Sequence, residues 1–341
     1  MISAWERKTE MTDHSILVTG GAGYIGSHVV RQLGEAGESI VVLDNLSTGF
    51  RSAVLYGDLV VGETGDADLV RRVIDDYSVD TIMHFAAHTI VPESVELPLK
   101  YYGNNTCSSR NLLECALAAD VRHFIFSSTA AVYGRAPTGI CSEETPTVPM
   151  NPYGMSKLMT EYMLRDVSAA SGLRYVSLRY FNVAGSDLEC RIGQSTEHAT
   201  LLTKVACQAA VGKRDLIEIY GTDYDTPDGT GIRDYIHVED LGHAHVDALA
   251  HLRKGGESEI LNCGYGHGFS VREVIAAVER ANGAPINIRE GSRRAGDPDI
   301  LISSNDRIKA RLGWEPRYDD IDVIVESALR WERRLVEHPA Q

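Results

Sequence analysis

The sequence predicts a doubly wound, largely parallel α/β sheet with a second, smaller α/β lobe, and three observations carry that prediction. From Ser15 onward, short apolar runs alternate with longer stretches of helical periodicity, the pattern of successive βαβ units. A glycine-rich turn separates the first apolar run from the first helical stretch. The length of 341 residues exceeds one ordinary domain, so two packed lobes are expected.

Taken in order, residues 1–14 are polar and charged and are expected to form a flexible N-terminal extension. Residues 16–19 read as the first strand and 24–34 as the helix after it. The pattern recurs as strand 40–44, helix 66–77, strand 81–85, helix 99–119 and strand 123–127, with connections of ordinary length. Pro152 opens a further helix. Beyond Phe181, polar and glycine-rich stretches at 185–197, 221–231, 264–268 and 291–297 separate shorter pieces. Residues 15–181 are therefore expected to form the first lobe. Residues 182–341 are expected to form mainly the second, with some segments returning to the first.

Composition excludes several function classes. Counting 33 Lys+Arg against 48 Asp+Glu gives a net charge of −15, which repels a phosphate backbone, so nucleic acid is not an expected partner. A local arginine cluster or a helix N-terminus can still hold a small anion. No apolar run approaches the ~18 residues of a membrane span, and no membrane partner is expected. The six cysteines, Cys107, Cys115, Cys141, Cys190, Cys207 and Cys263, are scattered without a Cys-x-x-Cys pair and read as free thiols of a cytoplasmic protein. No metal site is expected. His84 and His88 lack a third ligand, His243 and His245 point apart on a helix, and the Asp-rich loop 223–229 has a proline and no terminal Glu.

The turn Thr19-Gly20-Gly21-Ala22-Gly23-Tyr24-Ile25-Gly26 has the spacing G-x-x-G-x-x-G. Glycines there tighten the turn, let backbone approach a pyrophosphate, and let the helix pack close to the strand. Amides at the helix N-terminus then hold the anion. Asp44 closes the next strand, where a carboxylate accepts from the ribose hydroxyls and repels a 2′-phosphate, so the expected cofactor is NAD rather than NADP.

Tyr153 and Lys157 are four apart at a helix start and share one face. An ammonium beside a phenol favours phenolate, which is expected to bring Tyr153 toward the working pH as a general base. Ser127, Ser128 and Thr129 stand at the carboxyl end of a strand, where open α/β sheets bind ligands, and Thr129 can hydrogen-bond a substrate hydroxyl.

Together these motifs resemble the extended short-chain dehydrogenase/reductase family, and within it the UDP-glucose 4-epimerases. The similarity runs from about Ile16 to Trp331 and includes Leu43-Asp44-Asn45-Leu46-Ser47-Thr48-Gly49, His84-Phe85-Ala86-Ala87, Tyr101-Tyr102-Gly103-Asn104-Asn105, Leu178-Arg179-Tyr180-Phe181-Asn182, the segment around Arg233, and Arg293-Arg294-Ala295-Gly296-Asp297. The resemblance implies a Rossmann domain over 15–181 and a nucleotide-sugar lobe beyond it. It implies NAD contacts from Gly20, Gly23, Tyr24, Ile25, Gly26, Asp44, Asn45, Ser47, Thr48 and Gly49. Further NAD contacts are implied from Glu63, Thr64, Phe85, Ala86, Ala87, Asn104, Ser127, Tyr153, Lys157 and Tyr180. The implied substrate is a UDP-sugar held by Thr129, Tyr153, Asn182, Tyr220, Arg233, Arg294, Asp297 and Leu301. Tyr153 takes the 4-hydroxyl proton while hydride leaves C4, the 4-keto sugar turns over, and both return to the other face. A homodimer formed by helices 99–119 and 156–169 is also implied.

Four positions depart from the family pattern: Glu63-Thr64 near the adenine, Thr89 near the nicotinamide, Leu201 facing the nucleotide, and Leu301 at the gate of the sugar pocket. Tyrosine at that gate narrows the pocket to hexoses and small residues admit N-acetyl groups. Leucine is intermediate, which leaves N-acetylhexosamine and pentose substrates open. Ala130 and Ala131 occupy the Asp-Glu positions of the 4,6-dehydratases and transfer no proton, which argues against dehydration. An NAD-dependent dehydrogenase and a non-catalytic nucleotide-sugar binder are the remaining alternatives.

Overall fold

The computed structural model describes residues 14–136, 138–196, 199–294 and 297–340. The expected extension thus lies outside the described residues apart from His14, as do Ala295 and Gly296 of the arginine-rich segment. The strands are β1 (Ser15–Thr19), β2 (Ile40–Asp44), β3 (Asp58–Val61), β4 (Val79–His84), β5 (His123–Ser127), β6 (Ile140–Cys141), β7 (Arg174–Tyr180), β8 (Asn182–Ala184), β9 (Ile217–Tyr220), β10 (Ile232–Arg233), β11 (Tyr235–His237), β12 (Glu259–Cys263), β13 (Phe269–Ser270), β14 (Ile288–Gly291) and β15 (Ile300–Ser303). The α-helices are α1 (Tyr24–Glu35), α2 (Ala67–Asp76), α3 (Val91–Glu96), α4 (Pro98–Tyr101), α5 (Ser108–Ala118), α6 (Pro152–Ala170), α7 (Leu202–Ala210), α8 (Val238–Arg253), α9 (Val271–Asn282), α10 (Asp306–Leu312) and α11 (Ile321–Glu337).

Seven strands form one parallel sheet in the order β12-β7-β5-β4-β1-β2-β3. Every residue of β1 and β2 is buried, as expected of parallel strands covered on both faces. Alternate side chains serve two cores: Ile16, Val18 and Val42 join Val29, Leu241 and Ala244 on one face, while Leu17, Val41 and Leu43 join Val70, Leu112 and Leu164 on the other. Because β2 and β4 lie on opposite sides of β1, the strand order reverses there, and a crevice opens at the carboxyl ends. The remaining strands form a four-stranded sheet, β13-β10-β15-β6, and two pairs, β11-β8 and β14-β9. Among the described residues no helix is long and apolar enough to cross a membrane.

Two local expectations are corrected. The strand β3 was not foreseen, because its apolar run is only Leu59-Val60-Val61 and, at the edge of the sheet, its residues are exposed or half-buried. The single helix over 99–119 is instead α4, a π-helical turn at Tyr102–Cys107, and α5. The widened turn goes with an inward Asn105, whose carboxamide accepts from His88 N at 2.8 Å and donates to His88 O at 3.0 Å.

Candidate active site

The glycine turn is built by close approach. Gly20 has φ +72°, and a Cβ on it would stand 2.6 Å from the Ala86 nitrogen; a Cβ on Gly26 would stand 2.3 Å from the Gly20 carbonyl oxygen. No side chain caps α1 at Gly23, so the amides of its first turn face the crevice without a protein cap. Asp44 sets the turn against β2: its carboxylate accepts from Ala22 N at 2.9 Å and from Leu46 N at 2.8 Å.

At the other end, α6 begins with Asn151 accepting from Gly154 N at 2.8 Å and with Pro152 in the first turn. This start points Tyr153 and Lys157 at the end of β5. Thr129 hydrogen-bonds Tyr153 and accepts from Ala131 N at 3.1 Å. Lys157 Nζ donates to the Ser127 carbonyl at 2.8 Å and lies 4.9 Å from the centre of the Phe126 ring. Ser127 Oγ and the Tyr180 hydroxyl are 2.7 Å apart.

The electrostatics differ from the sequence expectation. Burial pushes the Tyr153 phenol above its ordinary range, opposed by the Thr129 hydrogen bond, and pushes the Lys157 ammonium down to about 7, opposed by the charge of Glu161. The lysine does not offset this shift of the phenol, because desolvation dominates both groups.

A hydrogen-bonded chain joins the two ends. Thr19 Oγ1 and His84 Nδ1 are 2.6 Å apart, His84 Nε2 and Ser109 Oγ 2.8 Å, and Ser109 donates to the Asn105 carbonyl. Asn105 Nδ2 donates to Ser156 Oγ at 3.0 Å, and Ser156 Oγ to the Tyr153 carbonyl at 2.7 Å. Burial holds His84 neutral, its pKa pushed down to about 3.

Both ends open into one cleft. From the glycine turn its wall takes Gly20, Gly23, Tyr24, Ile25 and Gly26, and from the end of β2 Asp44, Asn45, Ser47 and Thr48. Glu63 and Thr64, Phe85, Ala86, Ala87 and Asn104 follow, then Ser127, Thr129, Tyr153 and Tyr180, and finally Asn182 and Leu301. Six candidate residues lie outside that wall. Gly49 packs on Ala22, and Lys157 sits beneath the surface, 3% exposed. Arg233 turns its guanidinium onto the Ile232 carbonyl at 2.8 Å, and Arg294 stacks on Tyr220 with 3.8 Å from its guanidinium carbon to the ring centre. Asp297 donates its backbone N–H to the Arg294 carbonyl at 3.3 Å, beside that stack.

Sequence reasoning missed His88, Ile90 and Phe181 in the wall, together with Gln194 and Thr196. Thr89 and Leu201, singled out as departures, also line it. Among the described residues no group of three or more His, Cys, Asp and Glu can hold a metal ion.

The model of the NAD dependent epimerase/dehydratase family matches residues 16–264. A UDP-glucose 4-epimerase of Azospirillum brasilense is 55% identical over 337 residues, 97% of each chain. The crystal structure of UDP-glucose 4-epimerase from Brucella ovis in complex with NAD superposes with a TM-score of 0.91 at 42% identity, covering 93% of this chain and 98% of that one. The UDP-Glc/GlcNAc 4-epimerase of Campylobacter jejuni superposes at 0.83 with 47% identity, covering 94% and 99%. Matched along most of its length by the family model and along nearly all of it by these relatives, the chain belongs to the NAD dependent epimerase/dehydratase family.

Proposed function

We propose that this chain interconverts UDP-glucose and UDP-galactose at C4, using NAD. The observation that carries the reading is the single cleft in which an uncapped helix N-terminus and Asp44 stand at one end and the Thr129–Tyr153 pair at the other. NAD fits the first end: the turn has no room for a Cβ at Gly20 or Gly26, the uncapped amides at the start of α1 suit a pyrophosphate, and each Asp44 oxygen keeps a lone pair for a ribose hydroxyl. When bound, NAD supplies the group that takes hydride from C4 and gives it back.

The rest falls to the protein. Tyr153 holds the proton removed from the 4-hydroxyl, and Thr129 orients that hydroxyl and steadies the phenol. Lys157 supplies a positive charge beneath the tyrosine and fixes the Ser127 carbonyl. Asn182, at the start of β8, and Leu301, on β15, border the sugar side of the cleft. Arg233 and Arg294 supply positive charge for the diphosphate, Asp297 supplies an acceptor for a nucleotide hydroxyl, and the Arg294–Tyr220 stack gives a flat surface for the nucleotide. The test is incubation of the purified protein with UDP-galactose and no added cofactor. Formation of UDP-glucose is expected, and absence of conversion even with NAD supplied would end the reading.

Leu301 in the wall favours a second substrate class, UDP-N-acetylhexosamine, since leucine leaves more room than tyrosine. UDP-N-acetylglucosamine and a UDP-pentose belong in the same assay. On the same reading we place the protein in cytoplasmic galactose metabolism, as a homodimer. Val95, Leu97 and Leu99, 62%, 50% and 81% exposed, lie near α6, which itself exposes Met159 and Tyr162. A second copy would cover these side chains. A monomer by light scattering at micromolar concentration would remove the dimer.

A further inference from the structure

Beneath Tyr153 and Lys157 lies a buried ion pair that the steps above leave unused. Glu161 is 1% exposed. Its Oε1 accepts from Ser128 Oγ at 2.6 Å and from Arg179 Nε at 2.9 Å, and its Oε2 accepts from Arg179 Nη2 at 2.5 Å. Arg179 Nη1 donates to the Tyr133 hydroxyl at 3.0 Å, which donates to Asn262 Oδ1 at 2.6 Å.

Tyr153, Lys157 and Glu161 stand on successive turns of one face of α6. They meet three consecutive residues at the end of β5: Tyr153 meets Thr129, Lys157 the carbonyl of Ser127, and Glu161 the hydroxyl of Ser128. Helix and strand end are thus laced by three rungs. A buried ion pair holds a helix on a strand no better than apolar packing does. Its place against the strand end that carries Thr129 needs a reason other than stability.

We propose that Glu161 is a positioning residue, whose carboxylate locks the Ser127–Thr129 strand end onto α6 through Ser128 and whose negative charge, one turn along the same helix face, favours the ammonium of Lys157 beneath Tyr153. The proposal rests on the reading in which Tyr153 moves the proton. Burial brings Lys157 down to about 7 even with the charge of Glu161 opposing it. The other titratable groups around the lysine do not oppose it. His84 on β4 is held neutral, Tyr153 and Tyr180 are phenols pushed above their ordinary range, and Arg179 is engaged by Glu161. Without the carboxylate, Lys157 loses its proton at lower pH, and whatever needs the ammonium is lost there too.

Glu161→Gln in the full chain keeps an acceptor for Ser128 and removes the charge. We expect kcat with UDP-galactose to fall about tenfold or more with KM little changed, and its alkaline limb to move about one pH unit toward acid. Competition labelling of Lys157 with acetic anhydride across pH, read by mass spectrometry, is expected to move the same way. That labelling needs no turnover, so it decides the role of Glu161 even if the wild type fails to convert UDP-galactose, a failure that would sink the epimerase reading instead. A folded Glu161→Gln protein with an unmoved labelling profile overturns the proposal. Should that variant not fold, Glu161→Gln with Arg179→Met removes both buried charges together. Its kcat is expected to stay down about tenfold. Wild-type kcat and pH profile there would mark the pair as merely structural and overturn the proposal. Ser128→Ala cuts one rung and keeps the charge: a smaller loss of kcat with an unmoved labelling profile is expected, and wild-type kcat would overturn the part that runs through Ser128.

Discussion

At the glycine end of the cleft the binding surface is made by leaving atoms out, whereas at the Tyr153 end it is made by joining side chains. Gly20 and Gly26 have no room for a methyl group, and the ligand-facing groups there are backbone amides. At the other end every working group is a side chain held by a hydrogen bond: Tyr153 by Thr129, Lys157 by the Ser127 backbone carbonyl, Ser127 by Tyr180. One end is therefore vulnerable to added atoms and the other to removed ones. Loss at the first should appear as lost cofactor, and loss at the second as lost turnover with cofactor retained.

The sharpest break of that contrast is Gly26→Ala. Its methyl group meets the Gly20 carbonyl oxygen, so the turn must open at a cost on the order of 1–3 kcal/mol. The purified variant is expected to carry little NAD, measured by release on denaturation, and wild-type NAD content would refute a turn built by exclusion. Tyr153→Phe should do the opposite: NAD content and melting temperature are kept, while kcat falls by about 10²–10⁴. Near-normal turnover would remove Tyr153 as the base. Thr129→Val, which deletes one hydrogen bond to that phenol, is expected to lower kcat about tenfold.

The smallest expected effect concerns the chain that joins the ends. His84 titrates near 3 in the folded protein against about 6.5 unfolded, so between those values only the unfolded chain takes the proton. Stability is therefore held above about pH 6.5 and falls as pH drops toward 3. The melting temperature should decline between pH 6.5 and 4, and less steeply in His84→Asn; identical slopes would mean that other groups set the acid limb.

These two ends were unequally legible in the sequence. The glycine turn and Asp44 are local signals, within one βαβ unit, and β2 and β5 could be read to the residue because their apolar runs are short and bounded. The Tyr153–Lys157 pair was also local. What holds it was not: Lys157 reaches Ser127 across 30 positions, and the strand end carries no mark of which carbonyl it offers. The π-helical turn was hidden because 99–119 keeps helical spacing on both sides of it. Gln194 and Thr196 belong to no helix or strand and carry no periodic signal, so only the folded backbone brings them to the cleft.

The sheet order has a consequence for how the protein comes off the ribosome. Strand β1 is synthesised first and lies between β2 and β4, while β12 is the last strand made of the seven and takes an edge beside β7. Asn262 on that late strand donates to the Cys141 carbonyl at 2.8 Å and accepts from Tyr133 at 2.6 Å. A nascent chain that has not yet emerged past Cys263 thus leaves the β7 edge open and Tyr133 without its partner. The sheet edge beside Arg179 and Tyr133 is thus the last of the seven-stranded sheet to close as the chain is made.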